Sequence, residues 1–269
     1  MRILILAPHQ DDEILGACTL IKRMLCANEN VYIAYLTNGD YKGRDMAAIR
    51  YKESTAALNL LNMNCKRVFY FGYGDTGMKP QHSFLYRLYQ MDDACLLLSK
   101  NAQQTYHPVG GSTLHYLCTK REASYNRLSF VQDLGFMLDI SQPDIIVLPS
   151  PYDLHGDHQA SFLFVNELLH KKERPILLTY LLHSESDDLW PNRDGSRFRQ
   201  PISLSKTFWD SRFILDLSKE ERKLKYSCIQ LFKSQLYTPK GYLSAFAKKE
   251  EWFIQENGQP TITINPWAK

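Results

Sequence analysis

The sequence predicts an α/β fold: a doubly wound, mostly parallel sheet with helices on both faces. Three observations carry that expectation. Short continuous apolar runs recur, first at Ile3 to Ala7 and later within VYIAYLT and DIIVLP; runs of that length read as strands buried on both faces. Segments with apolar residues at helical spacing separate them. Strand and helix also alternate in order, β-α-β-α-β, which calls for parallel strands joined by right-handed crossovers. The architecture so described is Rossmann-like.

Each element follows in turn. The first strand runs into PHQDDE, after which ILGACTLIKRMLCA predicts a helix from about Glu13 to Ala27. VYIAYLTNGD is a second strand closing in a polar turn, and DMAAIRYKESTAALNLLNM is a strong helical pattern. RVFYFGYGDTG is a third strand that breaks at its glycines. Gln81 to Ser99 reads as an inserted helix, and Asn101 to Thr119 as a loop suited to a lid or a substrate loop. A helix through Glu122 to Asp139 leads to a buried strand in PDIIVLPSPYDLHGDH, and helix resumes over His158 to His170. PILLTYLLHS is a further strand, Glu185 to Gln200 a polar loop, and Ser218 to Lys233 an amphipathic helix. No repeat, low-complexity tract or flexible linker divides the chain. One domain over residues 1–269 is expected, with a core to about 183 and a C-terminal extension from about 184.

Composition narrows the function classes. Hydrophobic residues are 44% and charged residues 23%, ordinary for a globular protein. A net charge of +3 argues against a nucleic-acid partner, because the basic residues do not gather into one block. KKER (Lys171 to Arg174) and KEERKLK (Lys219 to Lys225) mix signs and read as solvated helix faces. The six cysteines form no CxxC pair, which disfavours a cysteine-ligated metal. The apolar stretch at the N-terminus is too short for a signal-peptide core, and no run reaches the roughly 18 residues of a membrane span. A cytoplasmic protein with no membrane segment is expected.

The chemistry lies in PHQDDE. A buried strand runs straight into one histidine and three acids, groups that are costly to bury unpaired. A solvated turn is one explanation and a metal site is the other. A second cluster, HGDH (His155 to His158), follows a second buried strand. Ligands in open α/β sheets bind beyond the carboxyl ends of the strands, so both clusters fall on the functional edge. His9 and Asp12, three apart, can converge on one ion, and His158 completes two histidines and one carboxylate. Three N/O ligands with an open position is the pattern of catalytic zinc. Asp11 is then the general base for a water, His155 the oxyanion stabiliser or acid, and Asp157 the group that orients a histidine. Non-haem iron oxygenases use the same ligand types, and a non-catalytic sugar-binding relative is the other alternative. No G-x-G-x-x-G follows the first strand, which disfavours a dinucleotide enzyme.

These two motifs resemble the paired motifs of the PIG-L/LmbE-like zinc-dependent N-acetylglucosaminyl deacetylases, (P/A)H-P-D-D-E and H-x-D-H. The resemblance implies zinc on His9, Asp12 and His158, one ion per chain, with Fe2+ or another divalent ion as the alternative. It implies Asp11 as base and His155 at the oxyanion. AIRYKESTAALNLL resembles the family's R-x-x-E helix, implying Arg50 as a substrate contact and Glu53 as structural. GYGDTGM implies Asp75 as a contact to sugar hydroxyls, and Asp153 lies close enough to the second motif to be a further substrate contact. KSQ (Lys233 to Gln235) and EEWF (Glu250 to Phe253) resemble weaker C-terminal motifs. Gln10 departs from the family's proline and exchanges a rigid turn residue for a flexible one. The implied partner is a small-molecule N-acetylated amino sugar, on a soluble glycoside or an aminoglycoside-like intermediate of antibiotic biosynthesis. The acidic stretch SESDD (Ser184 to Asp188) is the feature that favours a polycationic product.

Overall fold

The computed structural model describes residues 1–169, 175–184, 190–236 and 241–256. Among these, seven strands form one sheet: β1 (Arg2–Ala7), β2 (Asn30–Thr37), β3 (Val68–Tyr73), β4 (Ile145–Pro149), β5 (Ile176–Tyr180), β6 (Phe213–Asp216) and β7 (Glu250–Gln255). Their spatial order is β3-β2-β1-β4-β5-β7-β6. The first five strands run parallel, and β7 joins antiparallel to both β5 and β6. The helices are α1 (Asp12–Cys26), α2 (Arg44–Leu60), α3 (Phe84–Tyr89), α4 (Leu114–Thr119), α5 (Arg127–Ser141), α6 (Gly156–Leu169), α7 (Lys206–Asp210) and α8 (Lys219–Ile229). The doubly wound, mostly parallel sheet read from the sequence is the fold.

Why the sheet needs two helical layers follows from the strand sequences. Successive side chains on a strand point to opposite faces. Ile3, Ile5, Ala7, Val31, Ile33 and Tyr35 enter one core with α1 and α8. Leu4, Leu6, Ala34 and Leu36 enter the other with α3, α5 and α6. Every one of these residues is buried, so neither face can be left to water.

Strand order reverses at β1. The chain leaves it for β2 and β3 on one side, and β4 pairs on the other. That switch point opens a crevice beyond the carboxyl ends of β1 and β4, where α/β sheets place their ligands. PHQDDE leaves β1 and HGDH follows β4 into this crevice.

Four expectations require correction. Within Gln81 to Ser99 only Phe84–Tyr89 is helical. Leu97 is buried and donates its amide to Tyr125 O at 2.8 Å, while Leu96 and Leu98 are exposed; that is strand-like alternation, which helical periodicity cannot supply. The helix expected from Glu122 begins at Arg127, where Asn126 caps it by accepting from Ser129 N. Asn101 to Thr119 is not loop throughout: it contains α4 and is fastened to β3 through Tyr106 N to Gly72 O at 3.3 Å. KEERKLK is not solvated throughout, since Lys225 is fully buried. KKER lies outside the described residues, as does the acidic part of SESDD beyond Ser184.

Candidate active site

Pro8 to Glu13 are all buried, so every charge in the turn needs a partner. His9 N donates to Asp12 Oδ2 at 2.8 Å and closes the turn. Asp11 has φ 143°, a region that L-residues other than glycine rarely occupy. Its amide is held by Glu13 Oε2 at 3.1 Å. Gln10 donates Nε2 to Thr37 O at 2.9 Å, so this turn is fixed by a side-chain hydrogen bond in place of a proline ring. From α2, Arg50 Nη2 donates to Gln10 O at 3.0 Å and to Asp11 Oδ1 at 3.1 Å. Glu53, one helical turn on, accepts from Ser234 N and Oγ at 2.8 and 2.6 Å. The R-x-x-E helix therefore ties Asp11 to KSQ.

Behind the turn, α6 supplies the second half of the site. Asp157 Oδ2 lies 3.1 Å from His9 Nε2. A carboxylate accepts, so Nε2 carries the hydrogen and Nδ1 offers its lone pair. Asp157 Oδ1 accepts from Leu85 N at 2.7 Å and from Ser83 Oγ. Gly156 makes this contact possible, because a Cβ there would meet Ser83 Cβ at 2.6 Å and Pro80 Cα at 2.7 Å. Asp157 N donates to His155 Nδ1 at 3.2 Å. The neutral His155 ring therefore carries its hydrogen on Nε2, and burial and the surrounding histidines push its pKa well below normal.

Asp12 Oδ2 sits 3.3 Å from His9 Nδ1 and 3.2 Å from His158 Nε2. Ligands on a tetrahedral zinc at about 2.0–2.1 Å stand about 3.3 Å from one another. Both ring nitrogens of His158 are fully buried and lie near carboxylates without hydrogen-bond alignment. Asp153 Oδ2 at 3.1 Å can hold the Nδ1 side of the ring, which leaves Nε2, on the Asp12 side, able to face a cation. His9, His155 and His158 also bring donor atoms within 4.8 Å of one another. One oxygen of Asp12 touches both His9 and His158, so Asp12 could serve as a donor beside them and would bring negative charge.

Electrostatics favour a cation as well. Asp11, Asp12, Asp75, Asp153 and Asp157 are all buried here. For His158, burial alone lowers the pKa, yet Asp153 and Asp12 push it up to about 10. His9 is likewise raised against its burial by Asp12 and Asp157. The acids thus draw protons onto the histidines, and a divalent ion would release them. Asp11 is raised to about 6 by burial, an effect that Arg50 opposes. Glu13, more deeply enclosed, is raised to about 8 by burial.

A cavity of about 390 Å³ opens onto this cluster. His9, Asp11, Asp12, Arg50, Asp75 and His155 line it. His158, Asp153 and Asp157 do not. Asp153 is fully buried and both oxygens are taken, by His155 N at 2.9 Å, by Leu182 N and His183 N at 2.8 and 3.0 Å, and by the His183 ring. The expectation that Asp153 touches substrate is corrected on that ground. Asp157, expected among the catalytic groups, faces His9, Ser83 and Leu85 and holds His9 in place. Arg50 reaches the cavity, but its Nη2 is engaged by Asp11 and Gln10.

Cavity residues that sequence reasoning did not assign to the site include His183, Tyr242 and Tyr41, while Gln235 entered it only as part of KSQ. His183 follows β5 and binds Asp153 Oδ1 through Nδ1 at 3.1 Å. A histidine shortly beyond a buried strand was the signal available for it, the same one that marks His9.

The part of the chain from β1 through α6 decides the relationship. A family model described as PIG-L, GlcNAc-PI de-N-acetylase, matches residues 4–169. The chain belongs to the PIG-L family. Its match runs from β1 through α6 and so contains both motifs. No curated protein sequence matches this PIG-L chain. Among solved structures it resembles a triple mutant of the deacetylase Orf2 of teicoplanin biosynthesis, at 14% identity and TM-score 0.60, covering 95% of this chain and 97% of that one. The same Orf2 has a structure described as zinc-inhibited. The A40926 pseudoaglycone deacetylase Dbv21 aligns at 14% identity and TM-score 0.59, over 94% and 96% of the two chains. The N,N'-diacetylchitobiose deacetylase of Pyrococcus horikoshii aligns at 17% and 0.52, over 93% and 82%. At these identities the likeness is one of fold.

Proposed function

We propose that the protein is a metal-dependent amide hydrolase. It removes the N-acetyl group from a 2-acetamido sugar of a small glycoside or aminoglycoside-like intermediate, giving acetate and a free amine. One observation carries this reading: an ionisable buried carboxylate, Asp11, and a neutral imidazole with its Nε2–H uncommitted, His155, line the same cavity as His9 and Asp12. Family membership and the deacetylase neighbours support it.

His9 Nδ1, Asp12 Oδ2 and His158 Nε2 would hold the ion, zinc by donor type, with Fe2+ or another divalent ion also compatible. When bound, it polarises the acetyl carbonyl and makes a water more acidic. Asp11 takes the proton from the attacking water as oxygen bonds to the carbonyl carbon. His155 Nε2–H donates to the developing oxyanion. On collapse the C–N bond breaks, and Asp11 returns its proton to the leaving nitrogen. Arg50 keeps Asp11 ionised and aimed. Asp75, at the cavity wall, accepts from sugar hydroxyls, and Tyr41 and Tyr242 offer faces for the sugar ring.

The test is acetate release from acetylated aminoglycosides and N-acetylglucosamine glycosides, before and after chelation. Release that disappears with the metal and returns when it is restored is the expected result. No release from any acetylated sugar by the metal-loaded protein contradicts the reading, and dependence on molecular oxygen would reassign it to an oxygenase.

A further inference from the structure

Helix α1 does not run unbroken. Ala17 has φ −141° and ψ 19°, outside helical values. In a continuous helix the Thr19 amide would bond the Leu15 carbonyl. Here both groups have hydrogen-bond partners from outside the helix. Lys225 Nζ, from α8, donates to Leu15 O at 2.7 Å. Glu251, from β7, accepts from Thr19 N at 2.8 Å and from Leu20 N at 3.1 Å. Lys225 Nζ also donates to Glu251 Oε1 at 2.9 Å, and each side chain is only 1% exposed. A buried ion pair therefore contacts the helix backbone on both sides of the residue that leaves helical angles.

Desolvation offsets the attraction of such a pair, so stability alone is a weak reason for it. Its geometry is directional: the carboxylate faces two amides and the ammonium faces a carbonyl. The turn on the N-terminal side of the break carries Asp12, Glu13 and the cavity residue Leu15, and Asp11 leads into it. At the break, Gly16 lies against Tyr180 of β5, where a Cβ would meet the ring at 2.5 Å. The first turn of α1 is thus braced at its C-terminal end by α8, β7 and β5, in addition to the contacts that Arg50 and Thr37 make with Gln10 and Asp11.

We propose that Lys225 and Glu251 are positioning residues for the site: by holding α1 open at Ala17 they set the angle at which its first turn presents Asp11 and Asp12. Only the activity arm of the test rests on the hydrolase reading. Lys225→Met with Glu251→Leu removes both charges at similar volume and leaves Leu15 O and Thr19 N to pair with each other. The folded double variant should show zinc affinity, measured against a chromophoric chelator, weakened by about tenfold or more, as loss of supporting groups around a metal does. Its kcat should fall about 100-fold, the effect of a misplacement of order 1 Å, with KM moving far less. Zinc affinity and kcat both within about twofold of wild type overturn the proposal even if melting temperature drops, because a pair that only stabilises moves stability alone. Glu251→Gln keeps the volume and one acceptor, and guards against a double variant that does not fold. It should lose about tenfold in the same two readouts, and unchanged values overturn the proposal equally. If the wild-type protein releases no acetate, the hydrolase reading fails while the zinc-affinity arm still decides this one.

Discussion

In the proposed mechanism the chemistry turns on Asp11, whose environment sets a pH signature. Burial raises it to about 6 and Arg50 opposes the rise. A general base works ionised, so kcat/KM should climb as pH rises through about 6 and then level. Arg50→Met removes the opposing charge and should move that limb to higher pH; an unmoved limb would separate Arg50 from the base. His155→Ala should cost about 10² to 10³-fold in kcat, as loss of an oxyanion donor does, with metal content retained. The cavity groups His9, Asp11, Asp12 and His155 were legible because each sits at the end of a buried strand or in the turn after it. Asp153, two residues before HGDH, and Asp157, within it, carry the same residue type, yet both face inward. Only packing against Ser83, Leu85 and the 182–183 backbone separates a substrate contact from a support.

At the scale of elements, the five parallel strands were legible, whereas the antiparallel β6 and β7 and several helix boundaries were not. A strand buried on both faces has one sequence signature, an unbroken apolar run, and β1, β2 and β4 all show it. The segment after α3 is rich in leucine without being helical, because its hydrogen bonds go to Tyr125 and its side chains alternate in burial. The break in α1 left no trace in helical spacing, since the groups that sustain it arrive from residues more than 200 positions later. The glycine of HGDH yields a sharp prediction. Gly156→Ala places a Cβ against the Pro80 backbone, so α6 must shift. A stability loss of about 1–3 kcal/mol, typical of overpacking, should accompany reduced turnover, because Asp157 and His155 move with the helix. Calorimetry and acetate release check the two together; a variant with wild-type values in both would show that the close approach is not needed.

Across the whole molecule, the C-terminal third completes the sheet and bears on the site. β7 pairs with β5, Glu251 reaches α1, and Tyr242 and Gln235 line the cavity. We therefore expect one unfolding transition for the full chain, and a chain ending at residue 183 should not fold into a metal-binding protein. Two separated transitions would show instead that the core folds on its own. Among the described residues no helix is long and apolar enough to cross a membrane. The central claim is that the turn after β1 holds a metal beside a catalytic base. It is tested most directly by measuring metal content and acetate release in parallel for the wild-type protein and Asp11→Asn. About one divalent ion in each, with acetate released by the wild type and reduced by orders of magnitude in the variant, is the predicted result. A variant that turns over like wild type, or a wild-type protein that binds no metal when metal is supplied, would contradict the account.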